Sequence, residues 1–110
     1  MNSYESLFVL QPTLTEEETA QQIEKIQSVI ADNGGEILAK KQMGTRNLAY
    51  EVEGHRRGYY TVFYFKAPAK IVAELERNYR INETVIKFMT VKFTSKKELG
   101  EFEKMVEKAK

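Results

Sequence analysis

The stretch from Glu36 to Lys66 holds two extended runs with no helix between them, and each side of this pair carries a helical pattern and one more strand. No other feature narrows the fold as far. On the N-terminal side, YESLFVLQP reads as a strand stopped by Pro12. Thr15 and Glu18 then have capping-box spacing, hydroxyl to the third helical amide and carboxylate back to the cap. Ile23, Ile26 and Ile30 recur at helical spacing, and Asn33-Gly34-Gly35 supplies a helix stop. The central pair runs from Glu36 to Glu53, with Gly44 as a bend, through the connection Gly54-His55-Arg56-Arg57-Gly58, and back along Tyr59 to Lys66. On the C-terminal side, Pro68 opens a helix with Ile71, Val72, Leu75 and Tyr79 on its inner face. Thr84 to Phe93 follows as a strand rich in β-branched and aromatic residues.

The order is β-α-β-β-α-β. Two right-handed βαβ units joined this way give an α+β, ferredoxin-like sandwich: a four-stranded antiparallel sheet with two helices on one face. Residues 1–94 account for that domain. Residues 95–110 add a C-terminal extension, in which Ser95 and Glu98 repeat the capping-box spacing. Leu99, Phe102, Val106 and Ala109 follow as an apolar stripe, so this amphipathic helix is expected to pack back on the domain.

With 110 residues, 42% of them hydrophobic and 30% charged, the chain can bury its own core. It contains no cysteine, which removes disulfides and thiolate metal sites. No apolar run approaches the roughly 20 residues of a membrane span. The opening MNSYESLF has neither the basic nor the apolar region of a signal peptide, so an intracellular protein is expected. The net charge of +1 conceals an asymmetry. Residues 1–39 carry Lys25 against seven acidic side chains, whereas residues 66–97 carry eight basic against three acidic. Such a division fits one face turned to a polyanion, or charges that only solvate strand edges and helix faces; composition leaves both open.

Catalytic signals are missing. The one histidine, His55, lies between strands beside two arginines and reads as a solvated residue. No HExxH, GxxxxGK or GxSxG pattern occurs, and Gly34-Gly35 follows a helix where a phosphate-cradling loop precedes one. No enzyme, cofactor or metal is implied. A small ferredoxin-like hydrolase would need Arg46 or Arg80 to converge with an asparagine in a closed pocket.

The run RGYYTVFYF, residues 57–65, has the outline of the base-stacking strand of RNA-recognition motifs. Alternation separates Tyr59, Thr61, Phe63 and Phe65 from Tyr60, Val62, Tyr64 and Lys66. The first set is the more apolar and is expected to face the helices, with Phe8. The second would form a patch on an uncovered sheet face, near Lys87 and Met89. An autonomous single-stranded RNA binder stacking bases on Tyr59 and Phe8 is the alternative.

Residues 44–52, GTRNLAYEV, lie on a strand expected at the sheet edge, where a second chain can add. Arg46 offers a planar fork for phosphate or carboxylate. Here the sequence resembles the S6 family of bacterial small-subunit ribosomal proteins, in the run G-x-R-N-L-A-Y. The Tyr4-Glu5 strand ending in Pro12, Gly58-Tyr59-Tyr60, Arg80-Ile81-Asn82-Glu83 and Met89-Thr90-Val91-Lys92 match as well. The resemblance covers residues 4 to about 94. It implies a non-catalytic constituent of the cytoplasmic ribosome that binds 16S ribosomal RNA of the small subunit, in its central domain, as a heterodimer with ribosomal protein S18. By position, the partner edge would include Lys41, Gln42, Met43, Arg46 and Asn47. The RNA-facing set, inferred from charge and placement, is Arg46, Arg80, Lys87 and Lys92, with Tyr50 and Tyr60. Asn2 and Ser3 stand where relatives often carry basic residues, which shifts that burden to Arg46, Arg56 and Arg57.

Overall fold

Strand β1 (Asn2–Leu10) stops short of Pro12, and α1 (Glu16–Asp32) starts where Thr15 Oγ1 accepts the Glu18 amide at 3.1 Å. The Glu18 carboxylate accepts the Thr15 amide at 2.9 Å, completing the capping box. The helix ends on Gly34, whose φ of +81° suits a residue without a side chain. Then follow β2 (Glu36–Val52), β3 (His55–Ala67), α2 (Ile71–Ile81), β4 (Val85–Phe93) and α3 (Lys96–Ala109). The computed structural model describes all residues from 1 to 110.

The strands form one antiparallel sheet in the order β2-β3-β1-β4, the topology of the ferredoxin-like fold. Strands β1 and β3 are central. Tyr4, Phe8 and Leu10 from β1 and Phe63 and Phe65 from β3 meet Ile23, Ile26 and Ile30 of α1 and Ile71, Leu75 and Tyr79 of α2. Each side chain of that size stabilises by about 1.5–3 kcal/mol when fully buried. The Tyr79 hydroxyl lies 2.6 Å from Ser6 Oγ, so its polar end stays partnered inside the core. Beyond α2, Asn82 Oδ1 accepts the Thr84 amide and hydroxyl while its Nδ2 donates to Gln22 of α1, tying the entry of β4 to the helix layer.

Two expectations need correction. The connection between β2 and β3 is a two-residue turn, Glu53-Gly54, with φ of +49° and +81°. Positive φ at both central positions matches the right-handed twist of the strands, so His55 to Gly58 belongs to β3 and His55 pairs with Val52. The sheet face opposite α1 and α2 is also covered. Helix α3 lies across it, burying Phe102 and Val106 against Ala39, Val62, Tyr64 and Phe93. Val62 and Tyr64 are therefore core residues of a second layer, and only Tyr60 of that triad stays half-open. Alternation assigns residues to a face; it carries no information on which later element will cover that face.

Candidate nucleic-acid interface

Strand β2 leaves its neighbour in steps. Its pairing with β3 slips after Ile37, again between Gln42 and Gly44, and a third time beyond Asn47. The second slip is a bulge that leaves Met43 unpaired, and Gly44 there has φ of +78° with no atom within 4 Å of an added Cβ. Gly44 thus serves the backbone turn, not close packing. After the bulge, the Arg46 Nε donates to the Met43 carbonyl at 3.2 Å. This bond along its own strand leaves the rest of the guanidinium fork facing outward.

The residues of the expected partner edge do not share one face. Lys41 lies opposite Val62, and Met43 packs with the α3-side cluster. Gln42 lies opposite Thr61 and lines a cleft of about 440 Å³ beside the first turn of α1. Arg46 sits opposite the buried Gly58 and Asn47 opposite Arg57, both exposed. As a backbone edge the strand is unpaired on its outer side and broken by the bulge at Met43; as a set of side chains it presents both surfaces.

The expected RNA-facing residues fall into two groups. Arg46, Tyr50, Arg56, Arg57, Tyr60 and Lys87 gather at the β2–β3 hairpin and the adjoining end of the α3-side face. Tyr60 pairs with Val9, and Val9 with Lys87, across β3, β1 and β4. The hairpin tip curls back over this end, because the Lys87 Nζ lies 5.4 Å from the centre of the Tyr50 ring. Arg80 and Lys92 stand on the other side of β4. The Arg80 guanidinium lies 6.0 Å from the Phe88 ring and 3.3 Å from the Glu76 carboxylate, and Lys92 is opposite Tyr4.

Arg56 meets Glu51 at 3.8 Å, a solvent-exposed pair worth at most about 1 kcal/mol. Arg46, Arg57, Lys87 and Lys92 have no carboxylate within ion-pair distance, so their charge is not spent inside the molecule. Next to Lys87, β4 exposes Met89 and Val91; α3 exposes Leu99 at the far end of the sheet, beside Ser3, Leu38 and Lys66. The sequence placed Met89 near Lys87 but gave no exposure to Val91, for which alternation with Met89 on an edge strand was the available signal. It put Leu99 in the packed stripe of α3, where it is 38% exposed. The contact between Tyr50 and Lys87 joins distant segments and had no such signal.

Two ionisable groups at the α3 layer are shifted from their ordinary values. Backbone amides of Ser95 and Thr94, with the Thr94 hydroxyl, donate to Glu98 and hold its carboxyl down at about 2. Burial beneath α3 pushes the Tyr64 phenol up, and the neighbouring Glu5 carboxylate adds to this. Neither group faces a cavity able to hold a substrate. No cluster of His, Cys, Asp or Glu with metal-ligand geometry is present.

The model of the family described as Ribosomal protein S6 matches residues 3–92. A small ribosomal subunit protein bS6 of Sulfurovum sp. is 56% identical over 106 residues, covering 96% of this chain and 84% of its own. The protein of the same name from Nitratiruptor sp. is 53% identical over 110 residues, covering 100% and 86%. The crystal structure of 30S ribosomal protein S6 from Thermotoga maritima superposes with a TM-score of 0.83 at 31% identity, over 96% of this chain and 97% of that one.

Proposed function

Because the chain belongs to the ribosomal protein S6 family, whose members are structural parts of the small ribosomal subunit and not enzymes, we propose that it holds small-subunit ribosomal RNA jointly with ribosomal protein S18. It is a cytoplasmic ribosomal protein. The observation that supports the RNA reading is the set of uncompensated cations, Arg46, Arg57 and Lys87, around the curled hairpin. Fixed, unpaired charges on an exposed surface release counterions when phosphates replace them. Arg80 and Lys92 extend that charge around the β4 edge. The partner reading rests on the free edge of β2, interrupted by a bulge that keeps like edges from pairing.

A net charge of +1 gives the isolated chain a modest pull on RNA, so the partner supplies much of the positive surface. A salt titration with the chain alone and with S18 tests this. The heterodimer is expected to bind tightly with a steep slope, each neutralised phosphate adding about −0.9 to the logarithmic dependence, on the value for B-form DNA. Equal affinity with and without S18 removes the joint-grip reading. The alternative of base stacking on Phe8 and Tyr59 fails on burial: Phe8 is 0% exposed beneath the helices and Tyr59 packs against the same core.

A further inference from the structure

Given that the chain binds RNA, as proposed above, we propose that the hairpin tip is a subsite for one unpaired nucleotide, whose base stacks on Tyr50. Tyr50 is the most exposed aromatic side chain, at 66%, and makes no contact with another ring. Tyr59, Tyr60 and Phe88 are half-buried and the remaining rings are buried, so Tyr50 is the one ring left mostly in water and available for stacking. One side of the ring carries the Lys87 ammonium at 5.4 Å, and the exposure that remains leaves ring surface open.

The ring also forms part of a wall. Asn47, Leu48, Ala49, Tyr50, Glu51 and Arg56 line a shallow cavity of about 450 Å³ at the hairpin tip, within the size range of small-ligand sites. Three of the wall residues have a part that a nucleotide can use, while the Glu51 carboxylate opposes a phosphate and must be turned aside. The Tyr50 ring offers a π-face, the Asn47 amide both a donor and an acceptor for a base edge, and the Arg56 guanidinium a fork for phosphate. Arg56 is held only by its loose contact with Glu51, which a phosphate displaces at little cost. Lys87 adds a second cation beside the ring. An apolar peptide side chain would leave these cations and the amide unanswered, whereas a nucleotide supplies both a flat ring and a negative charge. A base within a duplex has its faces covered by neighbours, so the occupant is a bulged, looped or terminal nucleotide.

The chain contains no tryptophan, so Tyr50→Trp places a single fluorescent reporter in the subsite. The probes are a short RNA duplex with one bulged adenosine and the same duplex without it, titrated at low salt. The bulged RNA is expected to bind at least about 5-fold more tightly and to quench the tryptophan, as one base–aromatic stack would. The wild-type chain and Tyr50→Phe should show the same preference. Tyr50→Ala should bind both duplexes at the level of the unbulged one. Equal affinity with unchanged emission, or a preference that survives Tyr50→Ala, overturns the subsite and leaves RNA binding standing. The same titrations are run with the S18 complex, and failure of either duplex to bind that complex removes both readings.

Discussion

A Cβ placed on Gly58 overlaps Val9 Cγ1 and comes within 3.4 Å of Ile86 Cδ1 and of the Leu10 carbonyl. Gly58 therefore makes room for the Val9 side chain of the neighbouring β1 and for Ile86 of the bulged β4, and its role is space. Gly44 has the opposite character: open surroundings and a left-handed backbone. Substitution should separate the two. Gly58→Ala is expected to cost about 1–3 kcal/mol through overpacking, read as a lower urea midpoint with an unchanged slope. Gly44→Ala should cost about 1–2 kcal/mol through backbone strain alone. Asparagine tolerates the left-handed region, so Gly44→Asn should regain part of that loss while Gly58→Asn loses more than Gly58→Ala. Both glycines were visible in the sequence, one in G-x-R-N-L-A-Y and one in RGYY. The bend at Gly44 was legible as an interruption of a long strand; that Gly58 is a packing glycine was not, because its neighbours come from β1 and β4.

Helix α3 is the element that turns a two-layer sandwich into three layers. Its anchor is Phe102, 1% exposed, in edge contact with Tyr64 at 6.2 Å and tilted against Phe93 at 5.2 Å. Phe102→Ala should weaken docking by about 3 kcal/mol or more. Amide exchange would show this as lost protection confined to α3 and the facing side of the sheet, with β1 and α1 still protected. Global unfolding instead would mean that α3 belongs to the main cooperative unit. The cap gives a second handle. The Glu98 carboxyl is depressed in the folded chain, so its contribution is complete above the usual carboxylate range and is lost as pH falls toward about 2. The Thr94 and Ser95 amide resonances should therefore move over that acid range, and Glu98→Gln should abolish the movement while keeping the helix. The order of elements, both capping boxes and the apolar stripe of α3 were legible, because each depends on residues near in sequence. That α3 settles on Val62 and Tyr64 was not, since the burial of a face depends on an element some forty residues away.

At the scale of the whole molecule, the proposed RNA binding raises the question of which surface would carry it. Six of the eight RNA-facing candidates cluster at the hairpin and the α3-side end of the sheet, and Arg80 and Lys92 lie around the β4 edge. The charges could be counted in the sequence, but their division between two surfaces follows from the strand order, in which β4 is an edge with a face on each side. Charge reversal at well-separated points can locate the RNA. Arg57→Glu on the hairpin, Lys92→Glu beyond the β4 edge, and Lys25→Glu on α1 are exposed positions without ion pairs, so each should leave stability within about 0.5 kcal/mol. Salt titrations of the S18 complex on small-subunit RNA then give one slope per variant. A hairpin interface predicts that Arg57→Glu flattens the slope by about one phosphate, near 0.9, and weakens binding, while Lys25→Glu changes neither. Lys92→Glu measures how far the RNA wraps: an equal loss means that the RNA passes around the β4 edge, and no loss confines it to the hairpin side. A slope change at Lys25 as large as at Arg57 would mean that RNA feels only the net charge of the particle, and the hairpin would lose its claim to be the interface.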